Sequence, residues 1–311
     1  MPVTPDDAIA AIRDGGGACP GYRALHAKGA LYRGTFIATP EAAGLSRARH
    51  LDGSPVPVLV RFSNGSGNPA QPDGAPGVRG LAVKFTLPDG TTTDVSTQTA
   101  RLFAASGPEG FVDLLKALRP GPAMPARLAR LFATRPALLR ALPVLAAAGK
   151  TPASYATIEY HGLHAFRWVA ADGSARFVRY HLIPAAGVQH LPLRAARKKD
   201  RDFLDDELHT RLGDGPVRFD FRVQLAGPED STVDPSAPWH SADTISVGTI
   251  EVTGVDTERE HGGDIVVFDP MRVTDGIEPS EDPVLHFRTL AYSASVKLRA
   301  GVDRGPGAPH T

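Results

Sequence analysis

An arginine and a tyrosine near the end of the chain have the spacing of a phenolate ligand and its supporting cation. Arg288 and Tyr292 are four residues apart in a segment that predicts a helix, so they share one helical face, and Arg299 lies further along the same face. A free tyrosine has a pKa of roughly 10 and is a poor anion at neutral pH. A nearby guanidinium or metal ion favours the phenolate. Taken alone, such a pair is more often an ordinary surface or core contact.

A second set of reactive side chains lies in the first quarter of the chain. In the predicted strand that contains residues 60–63, alternation places Arg61 and Ser63 on the same face. The guanidinium could bind a carboxylate there, and the hydroxyl could orient an imidazole. His26 supplies an imidazole between small and apolar residues. A single histidine in this setting is more often structural, so these residues indicate a site only in combination.

The composition excludes several classes of protein. Lys plus Arg equals Asp plus Glu, at 34 each in 311 residues, so the bulk charge gives no indication of a nucleic-acid or membrane partner. Cys19 is the single cysteine, which excludes an internal disulfide and a thiolate metal cluster. The first residues do not form a secretion signal, and the most apolar region, 136–149, is too short and too interrupted to span a bilayer. We therefore expect a cytoplasmic protein.

Residue patterns predict many short strands and a few helices. Residues 4–13 begin with a capping threonine, a proline and two acids, which predicts a short N-terminal helix. Alternation and turn residues, including the Asp172-Gly173 hairpin signal, predict strands at 30–39, 56–63, 80–87, 165–170, 176–183, 217–225 and 244–255. Helices are predicted at 108–118, at 125–148 in two pieces, at 198–212 and from about 280 to 299. This order favours an α+β fold, an antiparallel β-barrel with surrounding helices, in one domain over residues 1–311.

Together these motifs resemble the haem catalase family. RALHAKGA at 23–30 resembles the family's distal-histidine segment, VRFS at 60–63 the strand that follows, and VRGLAVKF at 78–85 a further strand. FDPMRVTDGIEPSEDPVLHFRTLAY at 268–292 resembles the segment that ends in the tyrosine ligand. The motifs keep the family's order and spacing over a core of about 21–300, and several long motifs in order are more specific than any one. The resemblance implies a barrel of the haem-catalase type that binds haem b.

The resemblance also implies roles for individual residues. His26 matches the distal catalytic histidine, and Ser63 matches the serine that hydrogen-bonds to it. Tyr292 matches the axial ligand of the haem iron, a ligand type associated with catalase. Arg288 matches the arginine that stabilises the phenolate.

Further positions match residues that surround the cofactor. His164 and Asp282 correspond to a histidine and an aspartate that relay charge behind the arginine. The remaining matches are three arginines that hold the haem propionates and one distal aromatic residue: Arg23, Arg61, Arg299 and Phe111.

One distal position departs from the family pattern. Members carry an asparagine on the distal side, and our alignment places Gln98 and Thr99 where two asparagines occur. We assign Thr99 to the catalytic position, with Gln98 as the alternative after a one-residue shift. A threonine hydroxyl is shorter and less directional than an amide. The difference puts efficient disproportionation of hydrogen peroxide in doubt but not haem binding.

The resemblance implies a haem-dependent peroxidase that reduces hydrogen peroxide or organic hydroperoxides with a small organic reductant and has weak catalase activity. Two alternatives stay open: a fatty-acid hydroperoxide isomerase similar to allene oxide synthases, and a non-catalytic haem-binding protein. A haem carrier has no need of His26 with Ser63, so both residues favour an enzyme. The chain is short for the family, with neither a long N-terminal arm nor a flavodoxin-like C-terminal domain. We therefore expect a more open haem and a smaller oligomer, for which a homodimer is the candidate.

Overall fold

The framework of the protein is one antiparallel β-sheet. The computed structural model describes residues 2–16, 19, 21–142, 146, 149–257 and 265–299. Within them the sheet has ten strands. In chain order the strands β1 to β10 are Gly29–Ala38, Val56–Asn64, Arg79–Thr86, Thr92–Gln98, Tyr160–His161, Phe166–Val169, Ala175–Pro184, Val217–Leu225, Thr244–Val255 and Ile277–Pro279.

The sheet closes on itself into a barrel. Its order is β10-β6-β7-β5-β4-β3-β2-β1-β9-β8, and β8 also pairs with β7, so eight strands close while β6 and β10 extend the sheet beside β7. Closure removes the free edges that an open sheet would expose. Alternate side chains fill the interior with fully buried aromatic rings, among them Tyr32, Phe62 and Phe219. The intervening residues of β2, β3 and β4 face outward, toward the helices.

Seven helices in the described residues surround the barrel. The helices α1 to α7 are Pro5–Gly16, Pro40–Leu45, Pro108–Ala117, Met124–Thr134, Leu193–Ala196, Phe203–Asp214 and Pro283–Arg299, and short 3₁₀ segments cover Arg49–Leu51, Pro136–Ala141 and Tyr155–Thr157. Helix α1 packs against α3 and α7. None of the described helices combines the length and the apolar character that crossing a bilayer requires.

The predicted fold class, an α+β barrel with surrounding helices, is confirmed. The helix predicted at 198–212 begins instead at Phe203, because the buried carboxylate of Asp73 accepts a hydrogen bond from the Leu204 amide at the start of the helix. The N-terminal helix continues to Gly16 rather than ending at Arg13. Part of the helical region predicted at 125–148 lies outside the described residues. The single-domain organisation over 1–311 stays a prediction.

Candidate active site

A cavity of about 390 Å³ lies between the outer face of the barrel and helices α1, α3 and α7. Its volume is in the range of roughly 300–1,000 Å³ that small-molecule and cofactor sites occupy. The walls are mostly apolar, and a small number of charged and polar side chains enter from different elements. Two groups of these side chains carry the chemistry. We call Tyr292, Arg288, His164 and Asp282 the proximal group, and His26, Ser63 and Gln98 the distal group.

The proximal group is one continuous chain of hydrogen bonds. Arg288 donates from Nε and from one terminal nitrogen to the Tyr292 hydroxyl, over 3.1 and 2.5 Å. Its other terminal nitrogen donates to Nε2 of His164 over 2.9 Å, so His164 carries its proton on Nδ1. That N–H lies 2.6 Å from the carboxylate of Asp282. Two nitrogens of the guanidinium therefore donate to the phenol oxygen, and the hydrogen bond from the third nitrogen to His164 fixes the orientation of the group.

The start of helix α7 positions one end of this series of hydrogen bonds. Asp282 is buried and precedes α7, and its other carboxylate oxygen accepts hydrogen bonds from the amides of Val284 and Leu285. Asp282 therefore caps the helix and orients His164 at the same time. Burial lowers the pKa of His164 to about 4, although the hydrogen bond to Asp282 acts in the opposite direction. The imidazole is neutral at physiological pH and can accept the hydrogen bond from Arg288.

In the distal group, His26 and Ser63 are in direct contact. Nδ1 of His26 lies 3.0 Å from the hydroxyl of Ser63. His26 has a φ of 56°, the one positive φ of a non-glycine residue among those described, and Arg61 donates to its carbonyl over 3.0 Å. Gly80 makes room for the ring, because a Cβ at that position would lie 2.8 Å from both the imidazole and the Ser63 hydroxyl. Strained backbone and close packing fix the direction of the imidazole.

The electrostatic surroundings keep His26 neutral. Burial, followed by the positive charge of Arg61 and of other arginines, lowers the pKa of His26 to about 3. A neutral imidazole has an acceptor nitrogen, which a catalytic base needs. Arg61 thus positions the backbone of His26 and also disfavours protonation of its ring.

The other predicted site residues enter the same cavity. Phe111 lines it and packs its ring against Phe103 at a centroid distance of 4.9 Å. The three arginines predicted to hold carboxylates also line it: Arg23, Arg61 and Arg299. Arg61 and Arg299 are buried, and Arg23 donates to the Val266 carbonyl over 2.7 Å.

Thr99, predicted as the distal catalytic residue, does not line the cavity, whereas Gln98 does. The hydroxyl of Thr99 instead accepts a hydrogen bond from the Arg79 amide at 3.1 Å. Gln98 is paired with Gly80 in the β3–β4 ladder and therefore points to the face on which the His26 ring lies. Within the described residues its side-chain amide makes no hydrogen bond. The strand register therefore favours Gln98 over Thr99 as the residue that faces the His26 ring.

Comparisons with known proteins agree with this architecture. Residues 21–305 match the family model described as Catalase. The chain belongs to the catalase family. It is 73% identical over 307 residues to the catalase-related peroxidase of Mycolicibacterium paratuberculosis, covering 99% of this chain and 98% of that protein. It is also 34% identical to the catalase-related peroxidase of Synechococcus elongatus, covering 96% and 89%. The predicted small, catalase-related branch of the family is confirmed.

Solved structures extend the likeness in fold. A fungal catalase superposes with a TM-score of 0.78 at 21% identity over 91% of this chain, and a bacterial catalase with 0.79 at 22% identity over 94%. The chain spans 60% of the length of each of these catalases.

Catalases depend on haem, and the cavity has the donor set that haem needs. A phenol supported by a guanidinium is suited to ligate iron, buried arginines suit the two carboxylates of the cofactor, and apolar walls suit its flat ring. Sequence reasoning missed Gly80 as a site residue and named Gln98 only as the alternative to Thr99. The signal for both was present in the strand motif VRGLAVKF and in the polar strand that pairs with it, but only the pairing register reveals which side chain faces the cavity.

Proposed function

We propose that this catalase-family protein is a haem peroxidase that reduces hydrogen peroxide or an organic hydroperoxide with a small organic reductant. The overall reaction is ROOH + AH₂ → ROH + H₂O + A, in which the reductant supplies two electrons and two protons. The observation that carries the proposal is that one cavity is lined both by Tyr292 with its supporting Arg288 and by the His26–Ser63 pair. A haem carrier would need the first pair and not the second.

In this proposal the proximal group holds the cofactor. Tyr292 would ligate the haem iron, and Arg288, which donates two hydrogen bonds to the phenol oxygen, would stabilise its phenolate. Arg23, Arg61 and Arg299 line the cavity and would hold the propionates. Haem, when bound, would supply an iron that can exchange electrons with peroxide and with the reductant. His164 and Asp282 fix the direction of Arg288, so its donors stay on the phenolic oxygen.

His26 moves the proton. With its own proton on Nδ1 donated to Ser63 Oγ, its Nε2 is free to accept the proton of the near peroxide oxygen. It then returns that proton to the far oxygen, which leaves as water or an alcohol. Such general acid–base catalysis contributes typically about 10²–10⁴-fold to the rate. A pKa held near 3 keeps the base form populated throughout the neutral range.

Gln98 is proposed to orient the peroxide beside His26. Its amide offers two N–H donors and a carbonyl acceptor toward the cavity. A glutamine is one methylene longer than the asparagine of the family pattern, so the amide reaches further from β4. This change favours one bound peroxide over the ordered use of a second one, which supports peroxidase over catalase activity. A homodimer and a cytoplasmic location stay predictions.

The experiment that tests the proposal is a direct comparison of two products. Haem-loaded protein is mixed with hydrogen peroxide, and oxygen release is followed by an electrode while guaiacol oxidation is followed by absorbance. We expect guaiacol oxidation to exceed oxygen release under matched conditions. Rapid oxygen release that guaiacol does not suppress would identify a catalase, and a haem-loaded protein that supports neither reaction would contradict the enzyme assignment.

A further inference from the structure

Helix α1 forms a wall of the cavity. Its apolar face is buried, with Ile9 and Ile12 exposed by 6% and 8%, and Ala8, Ile9 and Ile12 line the cavity directly. The start of the helix is tied down by Thr4 and Asp7, whose side chains and amides exchange hydrogen bonds. An apolar stripe on a short helix is usually explained by core packing alone. Here part of the stripe faces the space in which the cofactor and reactants must lie.

The same helix bridges the two chemical groups of the site. Ile9 and Ile12 pack in one cluster with Ala24 and Leu25, which precede His26. That cluster also includes Ala294 of α7, two residues after Tyr292. Helix α1 therefore spans the edge of the cavity between the segment that carries the distal histidine and the helix that carries the proximal tyrosine. A molecule that enters the cavity past α1 must therefore contact the side chains of this helix.

Helix α1 lies outside the residues that the catalase family model matches. Helix α1 ends at Gly16, and the match to the catalase family begins at residue 21. The roles of the proximal and distal groups follow from the matched region alone. The family model therefore assigns no role to the residues of α1 that line the cavity.

We propose that Ile9 and Ile12 are specificity-determining residues, which limit the size of the reductant that reaches the cavity and slow the release of haem. The part of this inference that concerns the reductant rests on the proposed peroxidase function. We expect single-ring phenols to pass these two side chains more readily than larger aromatic reductants do. Both effects have one cause, since both side chains pack between the segment that precedes His26 and helix α7.

The test uses the haem-loaded double variant Ile9→Ala/Ile12→Ala. Trimming both side chains removes wall atoms without adding a polar group, so we expect haem transfer to excess apomyoglobin to accelerate roughly tenfold. We also expect the rate of oxidation of 4-phenylphenol, relative to guaiacol, to rise by roughly fivefold. If the double variant folds poorly, Ile12→Val gives a smaller change in the same direction. Ile12→Leu, which preserves volume, should stay close to wild type.

Two control variants distinguish an effect of the α1 side chains that line the cavity from a general loss of packing in the protein. Ile37→Ala makes the same type of change at a side chain that is half exposed, far in sequence from α1. Val3→Ala weakens the packing of α1 against Phe287 without altering a residue that lines the cavity. The proposal is overturned if Val3→Ala changes the phenol ratio as much as the double variant does. It is also overturned if the double variant matches Ile37→Ala in both measurements.

The two readouts keep this inference separate from the proposed function. A protein that binds haem but oxidises neither phenol would contradict the peroxidase proposal, and the rate of haem transfer would still test the wall. Active enzyme with an unchanged phenol ratio and unchanged haem transfer would contradict the wall and leave the peroxidase proposal intact.

Discussion

The proximal and distal groups line the same cavity but use their hydrogen bonds differently. In the proximal group the four side chains are joined by hydrogen bonds into one series, from the Asp282 carboxylate through His164 and Arg288 to the Tyr292 hydroxyl. In the distal group, among the described residues, the His26 ring has one hydrogen bond, to Ser63, and the Gln98 amide has none. The first arrangement suits a permanent ligand, and the second leaves donors and acceptors available to reactants. Changes on the proximal side should therefore affect cofactor retention, and changes on the distal side should affect the rate.

The largest effect is expected from Tyr292→Phe. The variant loses the proposed iron ligand and the acceptor of two Arg288 hydrogen bonds, so it should retain little haem after gel filtration. Haem content per chain, measured by absorbance, checks this. Tyr180→Phe is the matched control, because that tyrosine is buried in the barrel core away from the cavity. Normal haem content and an unshifted Soret band in Tyr292→Phe would contradict the ligand assignment.

The next effect is expected from His26→Ala. Removal of the base should slow the reaction with hydrogen peroxide by roughly 10²-fold or more, while haem content stays normal. Stopped-flow absorbance measures the rate, and haem content in the same sample separates rate from retention. A wild-type rate would show that another group moves the proton.

A smaller effect distinguishes the two neighbouring residues of β4. Gln98→Ala should lower kcat/KM for hydrogen peroxide by roughly tenfold, the consequence of losing one well-placed hydrogen bond to the substrate. Thr99→Val removes a hydroxyl that accepts from the Arg79 amide and should stay within roughly twofold of wild type. Steady-state kinetics with guaiacol give both values. The reverse order of effects would restore Thr99 as the distal residue.

Ser63→Ala should have a modest effect, since it removes one orienting hydrogen bond of His26. The loss is about 1 kcal/mol, or roughly fivefold in the peroxide rate. Ser66→Ala, a similar change at a hydroxyl that accepts from the Asn68 amide, serves as the control. Equal effects of the two substitutions would remove the special role of Ser63.

The smallest expected change is in the dependence of the rate on pH. His26 acts as a base only when neutral, and its pKa is lowered to about 3, so the rate should stay flat as the pH falls from 8 to 5. A histidine with an ordinary pKa of about 6.5 would lose roughly thirtyfold over that range. Activity should decline only as the pH approaches the lowered pKa. A midpoint near 6.5 in the profile of kcat/KM would contradict the lowering of the His26 pKa by burial and by the charge of Arg61.

The contrast between the proximal and distal groups also explains which residues the sequence could predict. The proximal pair is local, because Arg288 and Tyr292 are four residues apart on one helix and their spacing alone places them together. Gln98 depends instead on the register between two strands, and a shift of one residue reverses every side chain of a strand. The sequence TTDVSTQ of β4 is polar on both faces, so its pattern did not predict a strand at all. The fold class was predictable from the repeated alternation of apolar and polar residues, whereas the orientation of Gln98 required the pairing of β4 with β3.

The central claim is that the cavity holds one haem and uses it to transfer electrons from an organic donor to peroxide. A double-mixing stopped-flow experiment tests it most directly. Haem-loaded protein meets one equivalent of hydrogen peroxide, and guaiacol follows in the second mix while the Soret band is recorded. We predict a spectral change after the first mix that guaiacol reverses faster than further peroxide does. The absence of any change after the first mix, or a return to the starting spectrum that is equally fast with peroxide alone, would contradict the account.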